Sequence, residues 1–309
     1  MYNGIKINKS QHPEDTGILV IGDTTEAISI VVCLLSAGHP VNLLTKNEDA
    51  TDAVKLHFED VFKYTHQRYN YNLNVIRTLQ AAVSIKLAIV VTDESLSLKR
   101  ELIGALEKVS SEDLIIAVNT ESIPLSDIQL KSLRPHRIIG ANWAEPAHTT
   151  YFLELISNHL TNENIAQDLE AYARKYWGKD PYLILSDKGI RSKMTTAMVR
   201  EAFYLVENGY ATMEDIDRAC RNDAGFYLPF AGNFRYMDLM GTSAYGMVMK
   251  DLNPELSNET VLPEFFKAII AKEESGFNNN SLYELSEKAD DFRKFSYEIQ
   301  KIIEKYPKV

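Results

Sequence analysis

The chain has 309 residues, of which 45% are hydrophobic and 25% are charged, and its formal net charge is -10. This length allows two ordinary globular domains, and the negative charge without a basic stripe argues against a nucleic-acid partner. No apolar run is long enough to span a bilayer, and the first seventeen residues, MYNGIKINKSQHPEDTG, lack the apolar segment of a signal peptide. We therefore expect a cytoplasmic protein with no membrane partner.

The first half of the chain alternates short apolar runs with helical patterns. The apolar runs predict buried strands over 17–22, 41–45, 73–77, 88–92, 114–118, 137–141, 150–156 and 181–185. Amphipathic patterns predict helices over 27–38, from Glu48 to about His66, and over 97–109 and 163–177. Strands that alternate with helices are typical of a doubly wound α/β sheet. We predict a Rossmann-like dinucleotide-binding domain over residues 1–186.

The second half of the chain has only helical patterns, and we predict an all-helical substrate and dimerisation domain over residues 187–309. Helices are expected over 192–208, 212–221, 233–250, 263–272 and 283–306. Thr212, followed by Asp215, resembles a capping box at the start of one helix. Aromatic residues here are expected to form core and dimer contacts: Phe226, Tyr227, Phe230, Phe234, Tyr236 and Tyr245. Cys33 and Cys220 are isolated and are expected to be buried hydrophobic residues.

The loop after the first predicted strand, Gly22-Asp-Thr-Thr-Glu-Ala27, resembles part of the dinucleotide fingerprint G-x-G-x-x-G. Gly22, Thr24 and Thr25 are the expected cofactor contacts, although Thr24 replaces a glycine and Glu26 adds a negative charge beside an anion site. Thr45 and Lys46 stand where an acid usually binds the ribose, and a lysine there suits a 2′-phosphate. The loop therefore predicts NAD or NADP, and leaves open that the fold persists with a degraded pocket.

Several spaced motifs resemble the 3-hydroxyacyl-CoA dehydrogenase family in order and spacing. They are Leu98-Lys-Arg-Glu-Leu102, Asn119-Thr-Glu-Ser122, Arg137-Ile-Ile-Gly140, Phe152-Leu-Glu-Leu-Ile156, Glu207-Asn-Gly-Tyr-Ala211, Glu214-Asp-Ile-Asp217, Gly225-Phe-Tyr-Leu-Pro-Phe230 and Asp238-Leu-Met-Gly241. The resemblance implies a homodimer and hydride transfer at the secondary alcohol or ketone carbon of a 3-hydroxyacyl or 3-hydroxy acid substrate, as in fatty acid metabolism. It also implies that Glu94 and Asn119 contact the dinucleotide.

The chain departs from the family at its catalytic positions. Asn142 stands in the place of the family's histidine base, four residues before Pro146, whereas Glu154 retains the acid that orients this histidine. Glu121 replaces the substrate-binding serine, and Lys193 replaces an asparagine at the start of the long helix. The helix after Asp49 also stands alone where the family has a helical hairpin that holds the coenzyme A tail.

Lys193 is our candidate for a replacement acid/base, because Gly189-Ile-Arg-Ser-Lys193 resembles the G-x-x-x-K arrangement of β-hydroxyacid dehydrogenases. In this hypothesis Asn142 donates a hydrogen bond to the substrate oxygen, Glu154 or Glu121 tunes the lysine, and Arg191 binds a substrate carboxylate. His148 is an alternative base. Two other interpretations stay open: a non-catalytic binding protein, and an enzyme that uses Glu121, Glu145 and Glu154 as a carboxylate cluster. No metal site is expected from ligand spacing.

Overall fold

The computed structural model describes residues 12–65, 71–79, 85–271 and 282–306. The chain divides into two compact units, residues 1–192 and 193–309, and each is described by itself. The predicted domain boundary at 186/187 stays a proposal. Residues 1–11, which contributed to the predicted cytoplasmic location, lie outside the described residues, as do His66 and Lys272 at the predicted ends of two helices.

The first unit is built on one eight-stranded sheet, which confirms the predicted fold class. Its strands are β1 (Ile18–Ile21), β2 (Val41–Leu44), β3 (Leu73–Ile76), β4 (Leu87–Val90), β5 (Ile115–Val118), β6 (Ile138–Trp143), β7 (Leu153–Ser157) and β8 (Tyr182–Leu185). They lie in the order β3-β2-β1-β4-β5-β6-β7-β8. All neighbours are parallel except β6 and β7, which pair antiparallel.

Helices cover both faces of this sheet, which explains why its central strands are apolar along their whole length. The helices are α1 (Thr25–Ser36), α2 (Ala50–Thr65), α3 (Leu96–Val109), α4 (Leu125–Gln129) and α5 (Glu163–Tyr176). Because side chains alternate along a strand, Ile18 and Val20 belong to one hydrophobic cluster and Leu19 and Ile21 to the other.

The strand order reverses at β1, whose neighbours are β2 on one side and β4 on the other. Ligands of open α/β sheets bind at the carboxyl ends of the strands, at such a switch point. The antiparallel direction of β7 places Glu154, near the start of that strand, opposite Asn142, near the end of β6. The sheet therefore brings the two predicted catalytic positions to its carboxyl edge.

The second unit is all-helical, as predicted. Its helices are α6 (Arg191–Glu207, which begins in the first unit), α7 (Met213–Asn222), α8 (Ala224–Tyr227), α9 (Asn233–Met240), α10 (Thr242–Leu252), α11 (Glu264–Ala271) and α12 (Leu282–Lys305). The capping box is confirmed: Thr212 Oγ1 accepts from the Asp215 N–H, and the Asp215 carboxylate accepts from the Thr212 N–H. The single helix predicted over 233–250 is wrong. Gly241 has a φ of 109°, which ends α9 before α10 begins.

Burial in this unit differs from two expectations, although the expected dimer contacts of the aromatic residues stay a prediction. Cys220 is exposed, although Cys33 is buried as expected. Phe226 and Phe234 are each 83% exposed, so they do not form a core within the described chain. Buried residues in the described part of this unit are few, and they are Ala231, Ser257, Pro263, Ser296 and Tyr297. Its helices therefore leave large apolar surfaces uncovered.

The described residues contain neither a membrane-spanning helix nor a cluster of metal ligands. No helix in these ranges has the length and apolar character needed to cross a membrane. Likewise, the described His, Cys, Asp and Glu side chains include no group of three or more arranged to hold a metal ion, so the carboxylate-cluster interpretation gains no support.

Candidate active site

The turn after β1 requires glycine at its first position. A Cβ on Gly22 would lie 2.6 Å from the backbone oxygen of Val91 and 2.8 Å from the Cβ of Ala27. Neither atom is the flexible end of a side chain, so neither can move away cheaply. Gly22 thus lets the turn, the strand β4 and the helix α1 approach closely, which is the arrangement that a dinucleotide fold needs.

The amino terminus of α1 follows this turn and is arranged to receive phosphate. Thr24 is the N-cap, and its Oγ1 accepts from the N–H of Ala27 at 3.3 Å. Thr25 Oγ1 donates to Glu145 Oε2 at 2.9 Å. The N–H groups in the first turn of a helix have no intrahelical acceptors and bind anions. The residues present therefore fit the pyrophosphate of a dinucleotide.

Glu26, in the first turn of α1, is the group that could oppose phosphate binding. Burial raises the pKa of Glu26 to about 6, against the opposing effect of the positive charge of Arg191, and Glu145 and Glu121 add to the increase. A carboxyl group with this pKa is still mostly ionised at pH 7 and becomes mostly protonated only below about pH 6. The repulsion that Glu26 would exert on a bound phosphate is therefore relieved only in mildly acidic solution.

The carboxyl end of β2 holds a carboxylate that sequence reasoning missed. Asp23 Oδ1 accepts from Thr45 Oγ1 at 2.8 Å and from the N–H of Lys46 at 2.5 Å. The predicted contacts Thr45 and Lys46 are therefore organised by a residue of the loop after β1. The fingerprint assigns no role to this position, and only the parallel pairing of β1 with β2 brings the groups together.

Lys99 is a second residue that sequence reasoning missed, although it lies in a motif quoted for the family. Its side chain is buried, and its Nζ donates to the backbone oxygen of Asn119 at 2.8 Å and to Asn119 Oδ1 at 2.9 Å. Nζ also lies 3.5 Å from Glu94 Oε2. Burial lowers the pKa of Lys99, and the charge of Glu94 acts in the opposite direction.

Glu94 joins the ends of β4 and β5. Its Oε1 accepts from the backbone N–H groups of Glu121, Ser122 and Ile123, at 3.0, 2.7 and 2.9 Å. Although burial acts in the opposite direction, hydrogen bonds from these N–H groups and the charge of Lys99 lower the pKa of Glu94. The predicted cofactor residues Glu94 and Asn119 thus form one network through Lys99. Their contact with a dinucleotide stays a prediction.

Asn142 is locked in place by three hydrogen bonds. Its Oδ1 accepts from the N–H of Thr120 at 2.8 Å, and its Nδ2 donates to the oxygen of Thr120 at 2.8 Å and to Glu154 Oε2 at 2.9 Å. Both N–H bonds of the amide are therefore used inside the protein. The expected donation from Asn142 to a substrate oxygen does not agree with this geometry.

Glu154 is fully buried, and its carboxylate accepts hydrogen bonds from other donors besides Asn142. Its Oε1 accepts from Tyr182 Oη at 3.1 Å and from the N–H groups of Ile190 and Arg191 at 2.8 and 3.1 Å. A Cβ on Gly189 would lie 1.9 Å from Oε2, so the chain passes this carboxylate at a distance only glycine allows. Glu154 therefore caps the start of α6, and its donors come from within the first unit.

Arg191 and Glu121 face each other at the carboxyl edge of the sheet. Arg191 Nη1 donates to the oxygen of Trp143 at 2.5 Å and to Glu121 Oε1 at 3.4 Å, and Ser192 Oγ donates to Glu121 Oε2. The guanidinium carbon lies 5.1 Å from the ring centre of Phe152. This arrangement places one positive charge, backed by an aromatic ring, beside the predicted catalytic positions.

The two candidate bases have different surroundings. His148, in the loop after β6, packs with its ring centre 5.8 Å from that of His57 on α2. Lys193 lies in the first turn of α6 with an exposed side chain and belongs to the second compact unit. Its role as an acid/base stays a prediction.

Two models of the same protein family match this chain. Residues 17–187 match the model of the 3-hydroxyacyl-CoA dehydrogenase NAD binding domain, and residues 190–281 match that of the 3-hydroxyacyl-CoA dehydrogenase C-terminal domain. The chain belongs to the 3-hydroxyacyl-CoA dehydrogenase family. This 3-hydroxyacyl-CoA dehydrogenase family member is an NAD-dependent oxidoreductase that acts on CH–OH groups, and nothing in the comparisons favours the non-catalytic alternative.

Individual relatives of this family member differ in their substrates. The mitochondrial hydroxyacyl-coenzyme A dehydrogenase of Homo sapiens is 29% identical over 72% of this chain and 76% of its own. The 5-formyl-3-hydroxy-2-methylpyridine 4-carboxylate 5-dehydrogenase of Mesorhizobium japonicum is 27% identical over 53% of this chain, a match that spans 54% of that relative.

Solved structures support the fold. A crystal structure of 5-formyl-3-hydroxy-2-methylpyridine 4-carboxylic acid 5-dehydrogenase, described as an NAD+ dependent dismutase, has a TM-score of 0.85 and 20% identity, and covers 93% of this chain and 98% of that one. The 3-hydroxyacyl-CoA dehydrogenase of Archaeoglobus fulgidus has a TM-score of 0.65 and 20% identity over 91% of this chain and 97% of that one.

Proposed function

We propose that this enzyme oxidises the secondary alcohol of a small 3-hydroxy acid and binds the substrate carboxylate through Arg191. The observation that supports this is the setting of the guanidinium group. Its Nη1 is used by Trp143 and Glu121, whereas its Nε and Nη2 have no hydrogen-bond partner among the described residues. A planar group with free N–H donors beside the predicted catalytic positions suits a carboxylate.

The connection between α2 and β3 supports a small acid over a coenzyme A thioester. Helix α2 ends at Thr65 and β3 begins at Leu73, which leaves only residues 66–72 between them. At about 1.5 Å per residue, this length is too short for a second long helix. The helical hairpin that holds the coenzyme A tail in the family therefore has no counterpart at this point of the chain.

The residues divide into three roles in this proposal. The first turn of α1 would hold the pyrophosphate of NAD, and the nicotinamide of the bound cofactor would supply the hydride acceptor for the carbinol carbon. Lys193 takes the proton from the substrate oxygen, as the sequence predicts. Asn142 and Glu154 act as positioning residues that hold the start of α6 and hence Arg191.

Substrate preference and the Arg191→Gln variant test the proposal together. NADH formation would be measured with 3-hydroxybutyrate, its methyl ester and its coenzyme A thioester. We expect the free acid to be preferred, and Arg191→Gln to raise its KM at least about tenfold, since a hydrogen bond to a charged group contributes about 1.5–3 kcal/mol. The KM of the methyl ester should change little.

The control for this experiment is Arg174→Gln, which removes an arginine that pairs with Glu170 and Asp180 away from the site. It should leave all three substrates unaffected. Turnover of the thioester alone, with no specific effect of Arg191→Gln on the free acid, would contradict the proposal.

We propose further that the chain forms a homodimer through its second unit. The support is the exposure of large apolar side chains there, including Phe226, Phe234 and Met247, which are 83%, 83% and 66% exposed. Sedimentation velocity at micromolar concentration should give twice the 35.0 kDa mass of the chain. Phe234→Lys should shift the protein toward monomer, whereas Leu133→Lys, at a position of the first unit that is 76% exposed, should not. A monomeric native protein would refute the proposal.

We also propose that the boundary between the two domains lies between residues 186 and 187 of the chain. The first family model ends at residue 187 and the second begins at residue 190, which supports a boundary in the short segment before α6.

A further inference from the structure

The end of β2 lacks the acidic residue that binds the adenosine ribose in NAD-dependent Rossmann folds. Thr45 and Lys46 occupy this position instead. Taken alone, a threonine and a lysine there favour the 2′-phosphate of NADP. The structure nevertheless supplies a carboxylate to the same place, because Asp23 reaches it from the loop after β1.

The hydrogen bonds of Asp23 leave one of its oxygens available. Oδ1 accepts both from Thr45 Oγ1 and from the N–H of Lys46. Oδ2 has no hydrogen-bond partner among the described residues, and the side chain is exposed. The carboxylate is thus held at a fixed position by one oxygen while the other can accept from a ligand hydroxyl.

One positive group at this turn, the guanidinium of Arg77, already uses one of its nitrogens in hydrogen bonds. Arg77 Nη1 donates to the backbone oxygens of Thr45 and Asn47, at 2.9 and 2.7 Å, and so fixes the turn after β2. Asn47 N–H in turn donates to Thr45 Oγ1 at 3.1 Å. The network orients the turn around Asp23, whose charge would repel a phosphate group placed there.

We propose that Asp23 accepts hydrogen bonds from the adenosine ribose hydroxyls of NAD and excludes the 2′-phosphate of NADP. This inference rests on the NAD-dependent function and names the residue that sets the cofactor preference. The acid expected on β2 has been replaced by one on the neighbouring loop, which reaches the same point because β1 and β2 are paired in parallel.

Asp23→Asn separates ligand recognition from the structural role of this residue. The amide oxygen of asparagine can still accept from Thr45 and Lys46, whereas the negative charge is lost. Titration calorimetry with NADH and with NADPH should show roughly tenfold weaker binding of NADH and tighter binding of NADPH, because the charge that favours the first and repels the second is gone. The dissociation constant for NADPH divided by that for NADH should therefore fall by more than about tenfold.

Two comparisons make the result decisive. Asp49→Asn removes another exposed carboxylate a few residues after β2 and should leave both dissociation constants unchanged, and thermal unfolding should show that both variants fold. If the native protein binds neither dinucleotide, the NAD-dependent function fails together with this inference. If it binds NADH and Asp23→Asn retains the native ratio, only the role of Asp23 is overturned.

Discussion

Replacing Glu154 by alanine is expected to lower the free energy of unfolding by at least about 3 kcal/mol. The substitution leaves four buried or half-buried donors without their acceptor: Asn142 Nδ2, Tyr182 Oη and the N–H groups of Ile190 and Arg191. Each unsatisfied donor costs about 1–3 kcal/mol, although such costs do not simply add. Urea denaturation followed by circular dichroism measures the change.

Glu154→Gln and Glu163→Ala are the matched variants for this experiment. Glutamine keeps the shape and one acceptor oxygen and should cost clearly less than alanine. Glu163 is an exposed glutamate in the first turn of α5. Within the described ranges its side chain bonds only Gln167 one turn later, so its removal should have a small effect. A loss below about 1 kcal/mol for Glu154→Ala would show that the site does not depend on this carboxylate.

Gly22→Ala is expected to cost about 3 kcal/mol and to abolish detectable NADH binding. The added methyl group would lie 2.6 Å from the oxygen of Val91, a backbone atom directly after β4 that cannot turn away. The turn would have to move from β4, and the amino terminus of α1 would move with it. Thermal unfolding and NADH titration measure the two effects.

Gly17→Ala is the control, because Gly17 lies just before β1 and a Cβ there would have no atom within 4 Å. It should be neutral or slightly stabilising. Equal behaviour of the two variants would mean that close packing at Gly22 has no special importance.

The sheet could be predicted because burial on both faces imposes a simple pattern. Ile18 to Ile21 is apolar at every position, since alternate side chains enter two different clusters. The sequence pattern does not indicate the break at Gly241, because the apolar period continues on both sides of it and the backbone conformation of this glycine ends α9. Exposure of Cys220 and Phe234 depends on how helices pack, which no local pattern contains.

Within the site, the sequence indicates which residues stand at the family's catalytic positions, but it does not indicate all of their hydrogen-bond partners. The pairing of Asn142 with Glu154 follows from one antiparallel register, but the bonds from Asn142 to Thr120 require the pairing of β5 with β6 as well. The sequence does not single out Lys99, because a lysine in an amphipathic helix usually faces solvent, whereas this one enters the space between the ends of β4 and β5.

Glu154 accepts hydrogen bonds from three elements, β6, β8 and the start of α6. These bonds give the residue a structural role even though position 142 holds an asparagine. Its bonds to the N–H groups at the start of α6 do not depend on a histidine at position 142, and the amide of Asn142 and the hydroxyl of Tyr182 supply the other two donors. These hydrogen bonds would serve the fold in the same way in a chain without activity. Glu154 is therefore a marker of architecture, and turnover has to be judged from its neighbours.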